Sequence, residues 1–208
     1  MKNWPIVIGL ALMIAVSHGH GIAQEPSTTE PRWIAGDMWT YSVAQEPGKP
    51  AKLVTIIVVD ASDVGYTIRT INPDGHYEIS SVARSEFLTQ GGFGGPPLQW
   101  PMAVGQHWSG SYSCNPPTCS ASTLAKIEYT VEAFELVSVP AGALPAFRLT
   151  EHMCFDQPSG SPLCGNMRIW FAPKAKTIVK VEIGAEKAIW GASAGTVLLS
   201  LVSYAVAP

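Results

Sequence analysis

Charged side chains are scarce in this chain: Asp, Glu, Lys and Arg make up 14% of it, against roughly 25% in an ordinary soluble domain. The basic side is the poorer one, with 13 Lys and Arg against 16 Asp and Glu. No block of basic residues forms anywhere. A nucleic-acid surface needs such a patch, and electrostatic attachment to anionic lipid needs one too, so both are excluded. Catalytic signatures are also missing. There is no Gly-x-Ser-x-Gly elbow, the turn that exposes the serine of many hydrolases. The glycine-rich stretch Gly91 to Gly95 lacks the Lys and Ser/Thr that complete a phosphate loop. Nothing in the sequence asks for a cofactor.

Cysteine is limited to Cys114, Cys119, Cys154 and Cys164. The spacings C-x4-C and C-x9-C are neither a thioredoxin-type motif nor a zinc ribbon, so no metal site is expected. An even number in an exported chain reads as disulfides. Loop spacing favours Cys114–Cys119 and Cys154–Cys164, each closing a local turn around Pro or Gly.

Export itself is read from the N-terminus. Lys2 gives a positive start, Ile6 to Val16 is an uncharged apolar run, and Gly21-Ile22-Ala23 puts small residues where a signal peptidase cuts. The run is short for a membrane span; an uncleaved anchor is the alternative. Cleavage after Ala23 moves the formal charge from -3 to -4 by removing Lys2. It leaves about 185 residues, enough for one domain with a sizeable core. The expected organisation is a signal peptide over 1–23, a loose segment over 24–35 and a single β domain over 36–208, in the periplasm or secreted.

The mature part reads as strands joined by short turns. Trp39, Tyr41 and Val43 alternate with Thr40 and Ser42, and Leu53 to Val59 is a β-branched run. Asn72-Pro73-Asp74-Gly75 is a strong turn signal, which makes 64–82 a hairpin. Residues 123–137 fit both an alternating strand and a helical stripe; their Ile, Tyr, Thr and Val content favours the strand. Ala188 to Ala207 carries no charge and is long enough for a membrane helix. Its Gly, Ser and β-branched residues favour a loop and a buried final strand. About ten strands in succession predict an antiparallel meander that must curl to bury a face. A closed barrel, a sandwich and a curved half-barrel are the choices.

Several landmarks narrow them. Gly36-Asp37-Met38-Trp39-Thr40-Tyr41, Trp100-Pro101-Met102 with Val104-Gly105-Gln106-His107-Trp108, Val139-Pro140-Ala141-Gly142 and Trp170-Phe171-Ala172-Pro173 stand in that order. Together they resemble a group of uncharacterised bacterial exported proteins built as a curved antiparallel sheet, whose architecture is similar to the half-barrels of the periplasmic lipoprotein carriers. The resemblance implies a mainly β fold with one curved antiparallel sheet and little helix. It brings no catalytic residues.

Candidate site residues follow from the aromatic supply. Trp39, Trp108 and Trp170 sit where strands meet turns, and each can plug a curled sheet or offer a platform to a ligand. Trp100 and the loop residue Phe93 join them as candidate ligand contacts. His152-Met153-Cys154 offers metal-type ligands, but neighbouring strand residues face opposite ways. Glu128, Glu132, Glu135 and Glu151 could supply the paired carboxylates of glycoside chemistry. Three functions are left open. The leading one is a non-catalytic binding protein holding an apolar or amphipathic, lipid-like ligand in the concave face. The others are an envelope interaction or scaffold module with a protein partner, and a hydrolase with an unrecognised site.

Overall fold

A computed structural model describes residues 26–44, 50–88, 97–114, 123–156, 160, 162–183 and 195–208. Its strands are β1 (Ser27–Thr28), β2 (Met38–Val43), β3 (Lys52–Ala61), β4 (Gly65–Ile71), β5 (Tyr77–Ala83), β6 (Met102–Ala103), β7 (His107–Cys114), β8 (Thr123–Val139), β9 (Gly142–Phe155), β10 (Leu163–Ala172), β11 (Thr177–Ile183) and β12 (Val197–Ala205). Among the described residues the only helical pieces are two single 3₁₀ turns, Arg84–Glu86 and Pro173–Ala175.

Ten strands form one antiparallel sheet in the order β5-β4-β3-β2-β12-β11-β10-β9-β8-β7. The sheet does not close: β5 and β7 are its edges. The chain therefore runs as two meanders, β2 to β5 and β7 to β12, joined where the last strand pairs with the first, Leu201 opposite Tyr41 and Ser200 opposite Ser42. The half-barrel expectation holds, and the closed barrel and sandwich do not. Register shifts at Val58/Asp60, Val131/Ala133, Trp170/Phe171, Val181/Glu182 and Leu201/Ser203 mark bulges, which bend a strand and add twist.

The two faces follow from period-2 alternation. One row of directly opposed residues runs Val131–Leu149–Ile169–Val181–Leu199–Val43 across β8, β9, β10, β11, β12 and β2. All but Val43 are buried. This inner face carries the core. The row one step along, Arg148–Trp170–Lys180–Ser200–Ser42–Leu53, faces the other way. The ambiguous segment 123–137 is strand, because its Ala125, Ile127, Tyr129 and Val131 are buried while Leu124, Lys126, Glu128 and Thr130 are exposed.

Segments outside the sheet cap the inner face. Phe87, just past β5, stands 4.5 Å from Trp33 and 5.9 Å from Trp39, ring centre to ring centre. Trp100 meets Phe171 edge-on at 5.1 Å, and Met102 beside it is fully buried. The segment read as loose, 24–35, is tied down over its described part. Ser27–Thr28 pairs with Met102–Ala103, and Trp33 is 3% exposed with its indole N–H donating to the Lys176 carbonyl at 2.8 Å. The polar residues around Trp33 hide this anchor at the level of sequence. Asp37 gathers the same region. Its buried carboxylate accepts from the Ile34 and Ala207 amides at 3.1 and 2.8 Å and faces the Lys176 ammonium at 3.4 Å.

The long hairpin β8–β9 overhangs its neighbours. Its tip, at the turn before Gly142 (φ +119°), reaches β12, where the Ala141 amide donates to the Leu201 carbonyl at 3.1 Å. Only a residue free of a Cβ takes that φ without strain. The uncharged stretch 188–207 is, over the end that is described, the strand β12 with Leu199 and Leu201 buried. No helix among the described residues is long and apolar enough to cross a membrane.

Candidate functional site

Most of the inner face is filled by its own side chains. An apolar cleft of about 180 Å³ lies over β2, β3 and β4 and the ends of β11 and β12. Trp39, Tyr41 and Val43 form one wall; Val54, Ile56 and Ile68 form another; Leu199 and Ile178 lie behind. Phe87 and Leu88 close it from the chain that leaves β5. The alternation of apolar residues in β2, β3 and β4 aims all these side chains at one face.

Three of the polar side chains that line the cleft, Trp39, Tyr41 and Thr177, are already hydrogen-bonded. The Tyr41 hydroxyl and Thr177 Oγ1 are 2.6 Å apart, and the Trp39 indole N–H donates to the Ala175 carbonyl at 2.7 Å. Burial raises the Tyr41 phenol well above its ordinary range, so it stays neutral. A lining that is mostly hydrocarbon favours an apolar guest. An engineered 150 Å³ apolar cavity holds benzene, so this volume suits one ring or a short acyl segment and not a whole lipid.

The aromatic candidates do not converge. Trp39 lines the cleft. Trp100 borders a separate hollow with Trp33, Arg84 and Leu98. Trp108 stacks on Tyr129 at 5.0 Å, at the far side of the sheet. Trp170 belongs to the opposite face. There its indole donates to Glu135 at 2.8 Å and the Lys180 ammonium sits 4.6 Å from its ring. Phe93 lies outside the described residues. Val54, Ile56, Ile68 and Leu199 were not singled out by sequence reasoning. Alternation shows which way a strand residue points, but not where the covering chain leaves a gap.

A second feature stands apart from the cleft. Trp108, Tyr129, Glu151, Met167 and Ile183 oppose one another in a single row across five strands of the inner face. Glu151 is 1% exposed. Burial pushes its carboxyl up to about 7, against a smaller lowering by the Tyr129 side chain hydrogen-bonded to it. One of its oxygens, and the Trp108 indole N–H, have no hydrogen-bond partner among the described residues. Glu128 lies on the other face, opposite His152, and Glu132 and Glu135 pair with Arg148 at 3.5 and 3.6 Å. The other three carboxylates therefore do not assemble around Glu151, and the paired arrangement of glycoside hydrolysis is not built by them.

Of the expected disulfides, Cys154–Cys164 is present with S–S 2.07 Å, between residues directly opposed in β9 and β10. The Cys114–Cys119 pairing lies outside the described residues. His152 stands beside the bridge, its Nε2 3.4 Å from Cys154 Sγ. The bonded sulfurs are not thiolates, the form in which cysteine binds metal.

No family model matches the chain, and no curated protein matches it. Three crystal structures resemble it. One is of a presumed lipoprotein from Parabacteroides distasonis ATCC 8503, with 12% identity, a TM-score of 0.46, and 87% of this chain and all of that one covered. Another is of a presumed exported protein with a YmcC-like fold from Bacteroides fragilis NCTC 9343, at 15% identity and TM-score 0.43, covering 86% of this chain and 100% of the other. The third is of the hypothetical lipoprotein YmcC from Escherichia coli K12, at 6% identity and TM-score 0.44, covering 85% of this chain and 89% of that one.

Proposed function

We propose that the protein is an exported, non-catalytic binding protein that holds a small apolar group in the cleft over β2, β3 and β4. The observation that carries this reading is a cleft of about 180 Å³ whose lining is mostly hydrocarbon and whose Trp39, Tyr41 and Thr177 polar atoms are already paired. An apolar guest there leaves both of those hydrogen bonds intact. The volume narrows the earlier lipid-like expectation to a ring or a short acyl segment, with any polar end left outside. Export rests on the signal-like start of the chain and on the Cys154–Cys164 bridge, a bond at home in oxidising compartments.

Native mass spectrometry tests it on protein exported into an oxidising compartment and then delipidated. Decanoate should be taken up one per chain and saturably. Ile68→Trp, which fills the cleft, should weaken uptake at least tenfold with the strand signal in circular dichroism unchanged. Equal uptake by both proteins, or none by the wild type, would overturn the proposal.

The interaction-module reading has one observation in its favour: Tyr77 and Ile79 are 63% and 56% exposed on edge strand β5. The Arg69 guanidinium covers the Tyr77 ring at 5.4 Å, which shrinks the free apolar surface. The cleft is the better-defined site.

A further inference from the structure

On the outer face, two rows of three side chains lie side by side across β8, β9 and β10. One is Lys126–Cys154–Cys164 and the other Glu128–His152–Asn166, each set directly opposed in register. His152 connects the rows. Its Nδ1–H donates to Asn166 Oδ1 at 2.5 Å, which leaves the Nε2 lone pair turned to Cys154 Sγ at 3.4 Å. His152 is exposed and both cysteines are half-buried, so solvent reaches the bridge.

A disulfide that only staples two strands needs neither a base at one sulfur nor a partner orienting that base. We propose that Cys154–Cys164 is a thiol-exchanging disulfide, with Cys154 as the leaving thiolate, His152 as the base that takes the incoming thiol's proton and Asn166 as the positioning residue. The co-reactant is a small thiol. Its sulfur bonds to Cys164 Sγ as the Cys154–Cys164 bond breaks, and that bond's electron pair passes to Cys154 Sγ. The thiol's proton ends on His152 Nε2, and the imidazolium so formed holds the Cys154 thiolate. One disulfide is consumed and one mixed disulfide forms, so no further oxidant or reductant is needed.

The electrostatics around the group support this direction. A cation beside a cysteine lowers its thiol pKa from about 8.5 into a range of about 3.5–7.5, and a thiol of lower pKa leaves faster. Lys126 stands directly opposite Cys154, and Glu128 directly opposite His152. Arg168, two residues beyond Asn166 on the same strand face, is held by Glu182.

Two measurements on the full mature chain decide the matter. Limited reaction of the oxidised protein with glutathione, followed by peptide mapping, should place the mixed disulfide on Cys164 in preference to Cys154. In Cys164→Ser, the rate of Cys154 alkylation by iodoacetamide should titrate at least one pH unit below an ordinary thiol. Adding His152→Gln should return the midpoint towards about 8.5, a tenfold or greater loss of thiolate at low pH. Asn166→Ala should give a smaller shift in the same direction. A mixed disulfide on Cys154, or alkylation profiles that coincide with and without His152, would overturn the proposal. Far-ultraviolet circular dichroism of each variant separates these results from a failure to fold.

Discussion

Replacing Glu151 with glutamine is expected to make the protein more stable at pH 8 and to leave it almost unchanged at pH 4. Burial pushes the Glu151 carboxyl from 4.5 to about 7. Its folded pKa is thus raised above the unfolded one. Between these two values the folded chain holds a proton that the unfolded chain has released. Stability from this group is therefore complete below about pH 4.5 and is lost as pH rises through about 7. At about 1.4 kcal/mol for each pKa unit, the loss is on the order of 3 kcal/mol. Glutamine keeps the shape and accepts from Tyr129, but never ionises. Urea unfolding of both proteins from pH 4 to pH 9 gives the difference curve, which isolates Glu151 from the surface carboxylates. That curve should rise through the interval and level off above it. A flat difference, or one that favours the wild type at pH 8, contradicts a buried, uncompensated carboxyl.

Trp39→Ala is expected to cost about 3–5 kcal/mol, the range for removing a large aromatic from a core. Trp39 is 1% exposed, packs on Phe87, and ties β2 to the Ala175 carbonyl. For a domain of this size that is a fall in melting temperature on the order of 10 °C. Trp39→Phe separates the two contributions. It keeps most of the ring but leaves the buried Ala175 carbonyl without its donor, which costs about 1–3 kcal/mol. A scan of both variants checks this. If Trp39→Ala melts within a degree or two of the wild type, Trp39 is not the core pillar of the β2 wall.

The sheet was legible in the sequence because its signals are local. Alternation in Trp39–Tyr41–Val43, the turn at Asn72–Gly75 and the Val139–Gly142 turn each depend on a few neighbouring residues. The inner and outer faces of β8 could be read the same way. The order of strands could not, since the pairing of β12 with β2 joins Leu201 to Tyr41 across most of the chain. The site was less legible for the same reason. Trp39 was found, but Ile68 and Leu199 become its neighbours only when the strands assemble. Trp170 looked equivalent to Trp39 as an aromatic at a strand end. Its position in the pleat, next to the bulge at Trp170/Phe171, turns it to the opposite face. Glu151 shares its strand face with Phe147, Leu149, Met153 and Phe155, so alternation already turns it inward, and the cross-strand row places it between Tyr129 and Met167. The Cys154–Cys164 bridge was readable from spacing, whereas the alignment of His152 with Asn166 needed the register.

The most direct test of the central claim is methyl-resolved NMR of the delipidated protein titrated with decanoate. Val54, Ile56, Ile68 and Leu199 line the cleft, while Ile57 and Ile79 point from the other face of the sheet. The account predicts saturable shifts in the first group with one common dissociation constant, and none in the second. Shifts spread equally over both groups, or absent from the cleft methyls at saturating ligand, would contradict it.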